Sequence, residues 1–176
     1  MDQKKLEQAA RLIIEAVGED PEREGLVETP RRFAEMVAEQ LAYAAVPNEE
    51  IARAFDKTFS SPESDMVVVK DISLFSHCEH HIALMYNMKA AVGYIPRGRV
   101  IGLSKIARIA DAVSKRLQIQ ERIGADIRDI MERITGAGDV IVLLEGEHSC
   151  MTARGIRKPG TLTRTISASG RFRTDG

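Results

Sequence analysis

The sequence predicts an α+β fold built around an antiparallel sheet. The predicted elements follow one another as helices, two strands, two helices and two strands. Strands that are neighbours in the sequence favour hairpins, and helices between the two groups can then cover the sheet. The chain has 176 residues, of which 44% are hydrophobic and 29% charged. That length and composition suit one domain with a packed core.

Helices are predicted in the first third of the chain. Apolar residues recur at helical spacing over residues 6–17, with Asp2 as the cap and Gly18 as the stop. Thr29-Pro30 is typical of an N-cap followed by proline at the first helical position, and a short third helix is predicted over residues 48–55. The buried stripe of the second helix is predicted to comprise Phe33, Met36, Val37 and Leu41.

The residue pattern changes after Ser60-Ser61-Pro62. We therefore predict a helical segment, residues 1–60, followed by a sheet-bearing unit, residues 61–176. Residues 66–70 are β-branched and strand-like, and residues 89–95 are predicted as a second strand.

Two further helices and two further strands are predicted in the second half. The helices cover residues 104–117 and 119–134, and Gly136 and Gly138 end the second of them. The remaining segments are a strand that begins as a buried run at 140–144 and continues to 153, a hairpin connection at 155–160, and a last strand at 162–169.

Charge and hydropathy exclude several classes of protein. The formal net charge of -1 provides no overall basic field to attract nucleic acid or an acidic membrane. No apolar run approaches the roughly 20 residues that span a bilayer, and no signal-peptide pattern follows the charged N-terminus. We therefore expect a cytoplasmic protein that binds neither nucleic acid nor membrane. Anion binding must then come from a local cluster of Arg and Lys.

The cysteines and histidines are concentrated in two short segments, His77-Cys78-Glu79-His80-His81 and His148-Ser149-Cys150. The Cys-x-x-His spacing lets a tight turn aim two ligands at one ion, and residues two apart on a strand face the same side. Two thiolates and one imidazole suit zinc, and three protein ligands leave a fourth position for water, as in catalytic zinc sites. The other histidines would then serve as proton-transfer groups near neutral pH.

Alternative interpretations of these two segments stay open at this point. A fourth protein ligand, His80 or Glu79, would close the site and make it structural. The chemistry of the residues does not decide which histidine binds the metal. A disulfide between Cys78 and Cys150 is disfavoured, because thiols stay reduced in the cytoplasm.

Four longer motifs occur in a fixed order along the chain. They are Cys78-Glu79-His80-His81, Gly102-Leu103-Ser104-Lys105-Ile106-Ala107-Arg108, Gln118-Ile119-Gln120-Glu121-Arg122 and His148-Ser149-Cys150-Met151-Thr152-Ala153-Arg154-Gly155. They are preceded by Gly18-Glu19-Asp20-Pro21, Arg23-Glu24-Gly25-Leu26 and Thr29-Pro30-Arg31-Arg32. In order and approximate spacing, these motifs resemble the signature of the GTP cyclohydrolase I family, and the likeness extends from near Leu6 to Phe172.

The resemblance implies a catalytic zinc site. In this sequence the family's zinc ligands fall on Cys78, His81 and Cys150. The family's two catalytic histidines fall on His80 and His148.

The resemblance also implies contacts with the substrate, GTP. Glu121 occupies the guanine-anchoring position, with Gln120 beside it, and Ser104 matches a position near the ribose. The positions that hold the triphosphate are Lys105, Arg108 and Arg154.

The reaction and architecture of the family are further expectations. The reaction converts GTP into 7,8-dihydroneopterin triphosphate and formate, the first step of tetrahydrofolate and pterin biosynthesis. The fold is the tunnelling fold, a two-layer α+β unit with helices on one face of an antiparallel sheet, whose sheets join between subunits into a barrel. Residues 61–176 would be the catalytic domain. A homo-oligomer is expected, a decamer of two pentamers in which neighbouring subunits build each active site.

The sequence departs from the family pattern after Cys-Glu-His-His. Family members often have a small residue or a glycine turn there, where this chain has residues 82–87. Asn87 can adopt the left-handed conformation that glycine would supply. Two other functions are weighed: a tunnelling-fold enzyme for another purine or pterin, and a zinc-binding paralogue without catalysis. The double metal signature disfavours the first, and the intact histidine and Gln-Glu pairs disfavour the second.

Overall fold

The structure is a computed structural model that describes residues 1–173. Contacts within the chain divide it into two compact units, Met1–Ala42 and a second unit that begins at Tyr43. The predicted functional division, a helical segment of residues 1–60 before a catalytic domain of residues 61–176, stays a prediction.

The first helix of the first unit is α1, Gln3–Ala16. Asp2 caps it as predicted, because its side chain accepts a hydrogen bond of 3.1 Å from the backbone N–H of Lys5. Gly18 follows the helix with a φ of 87°, a left-handed conformation that glycine adopts without steric cost.

The second helix, α2 at Thr29–Gln40, differs from its prediction in two details. Glu28 occupies the N-cap position that was expected for the first threonine of the segment. The buried residue of the helix is Ala34, whereas Met36 of the predicted stripe is 43% exposed. The prediction considered only large apolar side chains and overlooked the small one.

The second unit contains the remaining elements. In chain order they are α3 Asn48–Phe55, β1 Thr58–Ser60, β2 Val67–Cys78, β3 Ala83–Tyr94, β4 Arg99–Ile101, α4 Leu103–Ser114, β5 Leu117–Gln118, α5 Gln120–Thr135, β6 Val140–His148, α6 Ser149–Thr152, β7 Thr163–Ala168 and a 3-10 turn at Gly170–Phe172. Between residues 1 and 173, no helix combines the length and the apolar character that a membrane crossing requires.

Five strands form the main sheet in the order β5-β2-β3-β6-β7. Neighbouring strands are antiparallel, except that β5 runs parallel to β2. β1 and β4 form a separate antiparallel pair. The α+β class is therefore confirmed. The sequence prediction missed β1, β4 and β5, because strands of two or three residues are too short to show an alternating pattern.

β2 and β3 are each 12 residues long and extend well beyond the segments predicted as strands. Asn87 lies inside β3 with a φ of 50°, the left-handed conformation that we expected for it. The register of β3 with β6 shifts between Tyr86 and Lys89, so Asn87 forms part of a β-bulge instead of a turn.

Helices cover one face of the main sheet. Along β6 the fully buried residues alternate with half-buried ones, and Val140, Val142 and Leu144 share one core with Ile123 and Ile127 of α5. On the opposite face, the alternate residues of β6 help to line an apolar cleft of about 220 Å³. Its lining includes Met66, Val68, Ile141, Leu143 and Phe172.

α4 lies alongside β2 and runs in the same direction. Near the start of α4, the backbone N–H of Ile101 donates a 3.1 Å hydrogen bond to the hydroxyl of Tyr94. Tyr94 is the residue of β3 that pairs with Val67 at the beginning of β2. Near the end of α4, the hydroxyl of Ser76 in β2 donates a 2.7 Å hydrogen bond to the carbonyl of Ser114. The C-terminal end of α4 therefore lies beside the C-terminal end of β2.

Candidate metal centre and active site

Three potential metal ligands meet at one end of the main sheet. Cys78 is the last residue of β2, His81 lies in the turn that follows, and Cys150 lies in α6. One ligand atom from each residue lies within 4.8 Å of the others. Cys78 is 5% exposed and Cys150 is half-buried, whereas His81 is exposed. The group is therefore open to solvent on the side of the histidine.

Neighbouring segments fix the turn between β2 and β3. The backbone N–H of Glu79 donates a 3.0 Å hydrogen bond to the carbonyl of Gln118, in the strand that pairs with the end of β2. Within the turn, the N–H of His81 donates to the carbonyl of Cys78 at 3.4 Å. Ile82 has a φ of 50°, which is uncommon for a β-branched residue and is retained only where surrounding contacts impose it. Together these constraints hold His81 close to Cys78.

α6 carries the third ligand. The prediction that β6 continues to residue 153 is wrong, because the strand ends at His148 and the chain turns into a helix. His148 and Cys150 therefore do not share a strand face. A four-residue helix is too short for sequence periodicity to reveal. The hydroxyl of Ser149 donates a 2.7 Å hydrogen bond to the carbonyl of Leu84, which holds α6 against β3.

A second group of contacts holds the far end of α6. The hydroxyl of Tyr86 lies 3.0 Å from the hydroxyl of Thr152 and donates to Glu147 at 3.3 Å. Asn87 donates a further hydrogen bond of 2.9 Å to the same carboxylate. We did not single out these residues for such a role from the sequence, because no local spacing connects positions on strands so far apart in the chain.

The chemistry of the three ligands is compatible with zinc. Burial raises the pKa of the Cys150 thiol, and the neighbouring Cys78 raises it further. Two adjacent thiolates repel each other, so a cation between them is needed to keep both deprotonated. Around a tetrahedral zinc, ligand atoms lie roughly 3.5–4 Å apart, and the three atoms of this group, all within 4.8 Å of one another, are close enough to share one ion. Both cysteines are free thiols.

His148 lies beside this group at the end of β6. Its Nε2 is 2.8 Å from Oε1 of Gln120, the first residue of α5. Burial lowers the pKa of His148, and the carboxylate of Glu121 acts in the opposite direction. The Gln120 side chain contacts His148 and the surrounding backbone, and the residue is 1% exposed.

His80 is exposed next to the first cysteine. Its Nδ1 lies 3.6 Å from Sγ of Cys78, and its ring stands edge-on to that of His81 at 6.5 Å between centroids. His80 does not belong to the group whose ligand atoms lie within 4.8 Å of one another. The His80 imidazole therefore lies beside the candidate metal site without belonging to its three-residue group.

Glu121 is exposed in the first turn of α5, where the helix dipole favours an acidic residue. Arg122 next to it forms an ion pair with Glu79 of the turn after β2. Within the described part of the chain, no hydrogen bond or ion pair occupies the Glu121 carboxylate. This carboxylate is therefore available to a ligand.

Arg154 lies against the exposed side of the ligand group. Its Nη1 is 3.1 Å from Nε2 of His81, and its positive charge opposes the burial that raises the pKa of Cys150. An anionic group that approaches from the open side would meet this guanidinium.

Three predicted substrate-binding residues lie elsewhere. Ser104, Lys105 and Arg108 are in the first half of α4, whereas it is the other end of that helix that lies beside Cys78. Lys105 precedes the end of α4 by roughly 14 Å along the axis, at 1.5 Å per residue. Its ammonium group lies 5.6 Å from the ring centre of Phe55. Among the described residues, no hydrogen bond or ion pair joins Ser104, Lys105 or Arg108 to the metal ligands of the same chain.

His77 belongs to the interior of the protein. It is 9% exposed, and its ring stands edge-on to that of Phe75 at 6.5 Å. Burial lowers the pKa of His77, which favours the neutral imidazole. Its Nδ1 has no hydrogen-bond partner among the described residues.

Comparison with known proteins agrees with the family resemblance of the motifs. Residues 6–176 match the family described as GTP cyclohydrolase I. A protein from Clostridium botulinum (strain Kyoto / Type A2) named GTP cyclohydrolase 1 is 56% identical, over 99% of this chain and 92% of its own length. A protein of the same name from Clostridium acetobutylicum is also 56% identical, with the same coverage.

Among solved structures, the archaeosine synthase QueF-Like in its apo form aligns with a TM-score of 0.48 at 18% identity. The alignment covers 62% of this chain and 96% of that one. This likeness is too distant to bear on function. The family match and the relatives, in contrast, span nearly the whole sequence, including the segments in which the motifs lie. The chain therefore belongs to the GTP cyclohydrolase I family.

Proposed function

We propose that the protein is a zinc-dependent GTP cyclohydrolase, which converts GTP and water into 7,8-dihydroneopterin triphosphate and formate. One observation supports this most directly: a group of two thiols and one imidazole, suited to zinc, lies beside His148 in a chain of this family. The two clostridial relatives carry the name of the same activity. The reaction would supply the first intermediate of tetrahydrofolate and pterin biosynthesis.

Cys78, His81 and Cys150 would hold the zinc ion. Bound there, zinc would supply Lewis-acid activation of water near neutral pH. The exposed side of His81 leaves room for water or substrate, whereas a structural site is closed by a fourth protein ligand. We therefore favour a catalytic site over a structural one.

His148 and His80 would carry out the proton transfers. Burial lowers the pKa of His148, so the ring is a stronger acid once it is protonated, and in that form it would protonate a nitrogen of the guanine imidazole as water adds to C8. His80, beside Cys78, would assist proton transfers as the ring opens. C8 then leaves as formate. The ribose opens, rearranges and recloses on the diaminopyrimidine to form the pterin.

Glu121 would identify guanine as the base. Its carboxylate is exposed and has no other partner among the described contacts. It lies close enough to His148 to oppose the burial that lowers the pKa of that ring. A carboxylate can accept hydrogen bonds from the ring N–H and the exocyclic amine of guanine together. Arg154, on the open side of the site, would bind the triphosphate through charge-assisted hydrogen bonds.

Assembly would bring the remaining substrate-binding residues to the site. Ser104, Lys105 and Arg108 lie at the end of α4 that is distant from the metal ligands, so they would serve the site of a neighbouring subunit. The apolar cleft on the face of the sheet opposite α5 leaves Met66 and Val68 about half exposed, which a monomer would not favour. We propose the tunnelling-fold barrel, with two pentamers forming a decamer.

A cytoplasmic location is part of the same proposal. The site requires two free thiols, and a reducing compartment keeps them free. Neither nucleic acid nor membrane is needed as a partner, because the net charge is close to zero.

The test is turnover of GTP by purified protein that has been stripped of metal and then reloaded with zinc. We expect formate and a pterin, which becomes fluorescent after oxidation, to appear in equal amounts. Cys150→Ser treated in the same way is the matched control and should form neither. Formate without pterin would indicate a different purine-opening enzyme, and neither product from the zinc-loaded wild type would refute the proposed activity.

A further inference from the structure

The Gln120 side chain connects His148 to two strands of the sheet. Its Nε2 lies 2.9 Å from the carbonyl of Thr163 and 3.3 Å from the carbonyl of Leu144, with the hydroxyl of Thr165 also at 3.3 Å. Its Oε1 lies 2.8 Å from Nε2 of His148. Gln120 is 1% exposed, so water cannot readily replace any of these partners.

These partners determine which way the amide points. The oxygen and nitrogen of a glutamine amide are interchangeable in shape, so their assignment must come from their neighbours. A backbone carbonyl only accepts hydrogen bonds. Two carbonyls, of Thr163 and Leu144, therefore require the NH2 group on their side, and the oxygen of Gln120 must face His148.

The orientation of the amide in turn determines the tautomer of His148. An amide oxygen only accepts, so Nε2 of His148 must carry the hydrogen in the 2.8 Å contact. In a neutral imidazole the other nitrogen, Nδ1, then holds the lone pair. The opposite tautomer would place two lone pairs against each other in a buried contact. Rotation of the amide to avoid that clash would set its oxygen against two carbonyls.

We propose that Gln120 is a positioning residue, which holds His148 as the Nε2–H tautomer and leaves Nδ1 as the atom that exchanges protons with the substrate. This role rests on the proposed function, in which His148 is a proton-transfer group. It assigns the Gln120 side chain to His148, whereas the sequence places Gln120 next to the guanine-anchoring residue. Glu121, the next residue, remains exposed and free to contact the base.

The tautomer can be measured without any turnover. We suggest ring-15N NMR of the zinc-loaded full chain labelled at histidine, at about pH 8, well above the ordinary imidazole pKa of about 6.5. His148 is one of four histidines, and its signals are identified by their loss in His148→Phe. We expect the protonated nitrogen to be the one bonded to Cδ2, which is Nε2. A hydrogen on Nδ1 in the wild type would overturn the inference.

Two variants test whether Gln120 is the cause. Gln120→Met keeps the length of the side chain but removes the acceptor, so the Nε2–H form should give way to a mixture of tautomers. Its kcat should fall roughly 10–100-fold, as for other residues that orient a reacting group, with little change in KM. Gln118→Met is the matched control: Gln118 is also 1% exposed and donates to Val113 and Asp126, with no contact to His148 among the described residues. Its His148 tautomer should match the wild type.

The outcomes separate this inference from the proposed function. If Gln120→Met does not fold, Gln120→Asn serves instead, because it keeps the amide but is one methylene too short to reach His148. An unchanged tautomer in the folded variant would overturn the positioning role, even if kcat fell. A wild type with the Nε2–H tautomer and no GTP turnover would contradict the proposed function and leave the positioning role supported.

Discussion

Nη1 of Arg154 lies 3.1 Å from Nε2 of His81, so a predicted triphosphate-binding cation contacts a predicted metal ligand. A guanidinium only donates hydrogen bonds, and the imidazole nitrogen must therefore accept. The lone pair of Nε2 is therefore directed at Arg154, and this contact would give way if the same nitrogen bound a metal. The contact also places the cation where the phosphates of a substrate bound near the metal could reach it.

The first prediction distinguishes the role of Arg154 from that of a metal ligand, Cys150. Cys150→Ser should lose its zinc, because a hydroxyl is a poor replacement for a thiolate ligand. Arg154→Ala should keep about one zinc per chain but bind GTP more weakly, by on the order of 1.5–3 kcal/mol for one charge-assisted contact. Elemental analysis of dialysed protein and the KM for GTP measure the two effects. If Arg154→Ala also lost its zinc, Arg154 would be part of the support of the metal site.

The second prediction separates proton transfer from metal binding. His80→Ala and His148→Ala should keep zinc and lose turnover by about 10²–10⁴-fold, the range for a lost general acid or base. Zinc content and kcat are measured on the same preparations. His77→Ala is a useful comparison, since the His77 ring is buried against Phe75 and its loss should change stability more than kcat. A metal-free His80→Ala would place that histidine in the coordination sphere.

The third prediction tests the reading of guanine by Glu121. ITP lacks the exocyclic amine, so it should bind more weakly than GTP by on the order of 1.5–3 kcal/mol. In Glu121→Gln the side chain no longer accepts at both positions, and most of that preference should disappear. Competition binding gives the GTP-to-ITP ratio for wild type and variant. A ratio that does not change would show that Glu121 lies on a solvated helix face and makes no contact with the base.

The fourth prediction concerns sites shared between subunits. Cys150→Ser lacks the metal half of the site, and the double variant Lys105→Ala/Arg108→Ala lacks the phosphate-binding half. Each alone should be inactive. When the two variants are co-expressed and mix at random, each shared site needs an intact metal half from one chain and an intact phosphate-binding half from its neighbour. Each half is intact in about half of the sites, so about a quarter of the wild-type rate should be recovered in a closed oligomer. A mixture that stays inactive, although light scattering shows mixed oligomers, would argue that each chain builds its own complete site.

Elements with a long, regular pattern could be predicted from the sequence. α3 occupies the predicted residues, and α5 is followed directly by Gly136, which adopts the left-handed conformation expected of a helix stop. The ligand group could be anticipated because its residues are rare and lie in two short segments. Which histidine binds the metal could be predicted only from the family resemblance, since chemistry alone left that choice open.

Other features depend on tertiary contacts that no local pattern contains. α6 is held by the hydrogen bond from Ser149 to Leu84 of β3, a contact that the sequence beyond His148 does not reveal, and the strand was therefore wrongly extended. The contact between Gln120 and His148 joins the start of one helix to the end of a later strand. The position of Lys105 at the distant end of α4 also follows from packing, because the motif order does not tell which copy of the chain a residue serves.

Zinc dependence is tested most directly by measuring GTP turnover as a function of zinc bound per chain. Metal-free protein is titrated with zinc, and formate release is measured at each step alongside the bound metal. We predict that the rate rises in proportion to bound zinc and levels off at about one ion per chain, since the three ligands form a single site. Full formate release from the metal-free protein, or a rate that rises only beyond one ion per chain, would contradict the assignment of Cys78, His81 and Cys150 as the catalytic zinc site.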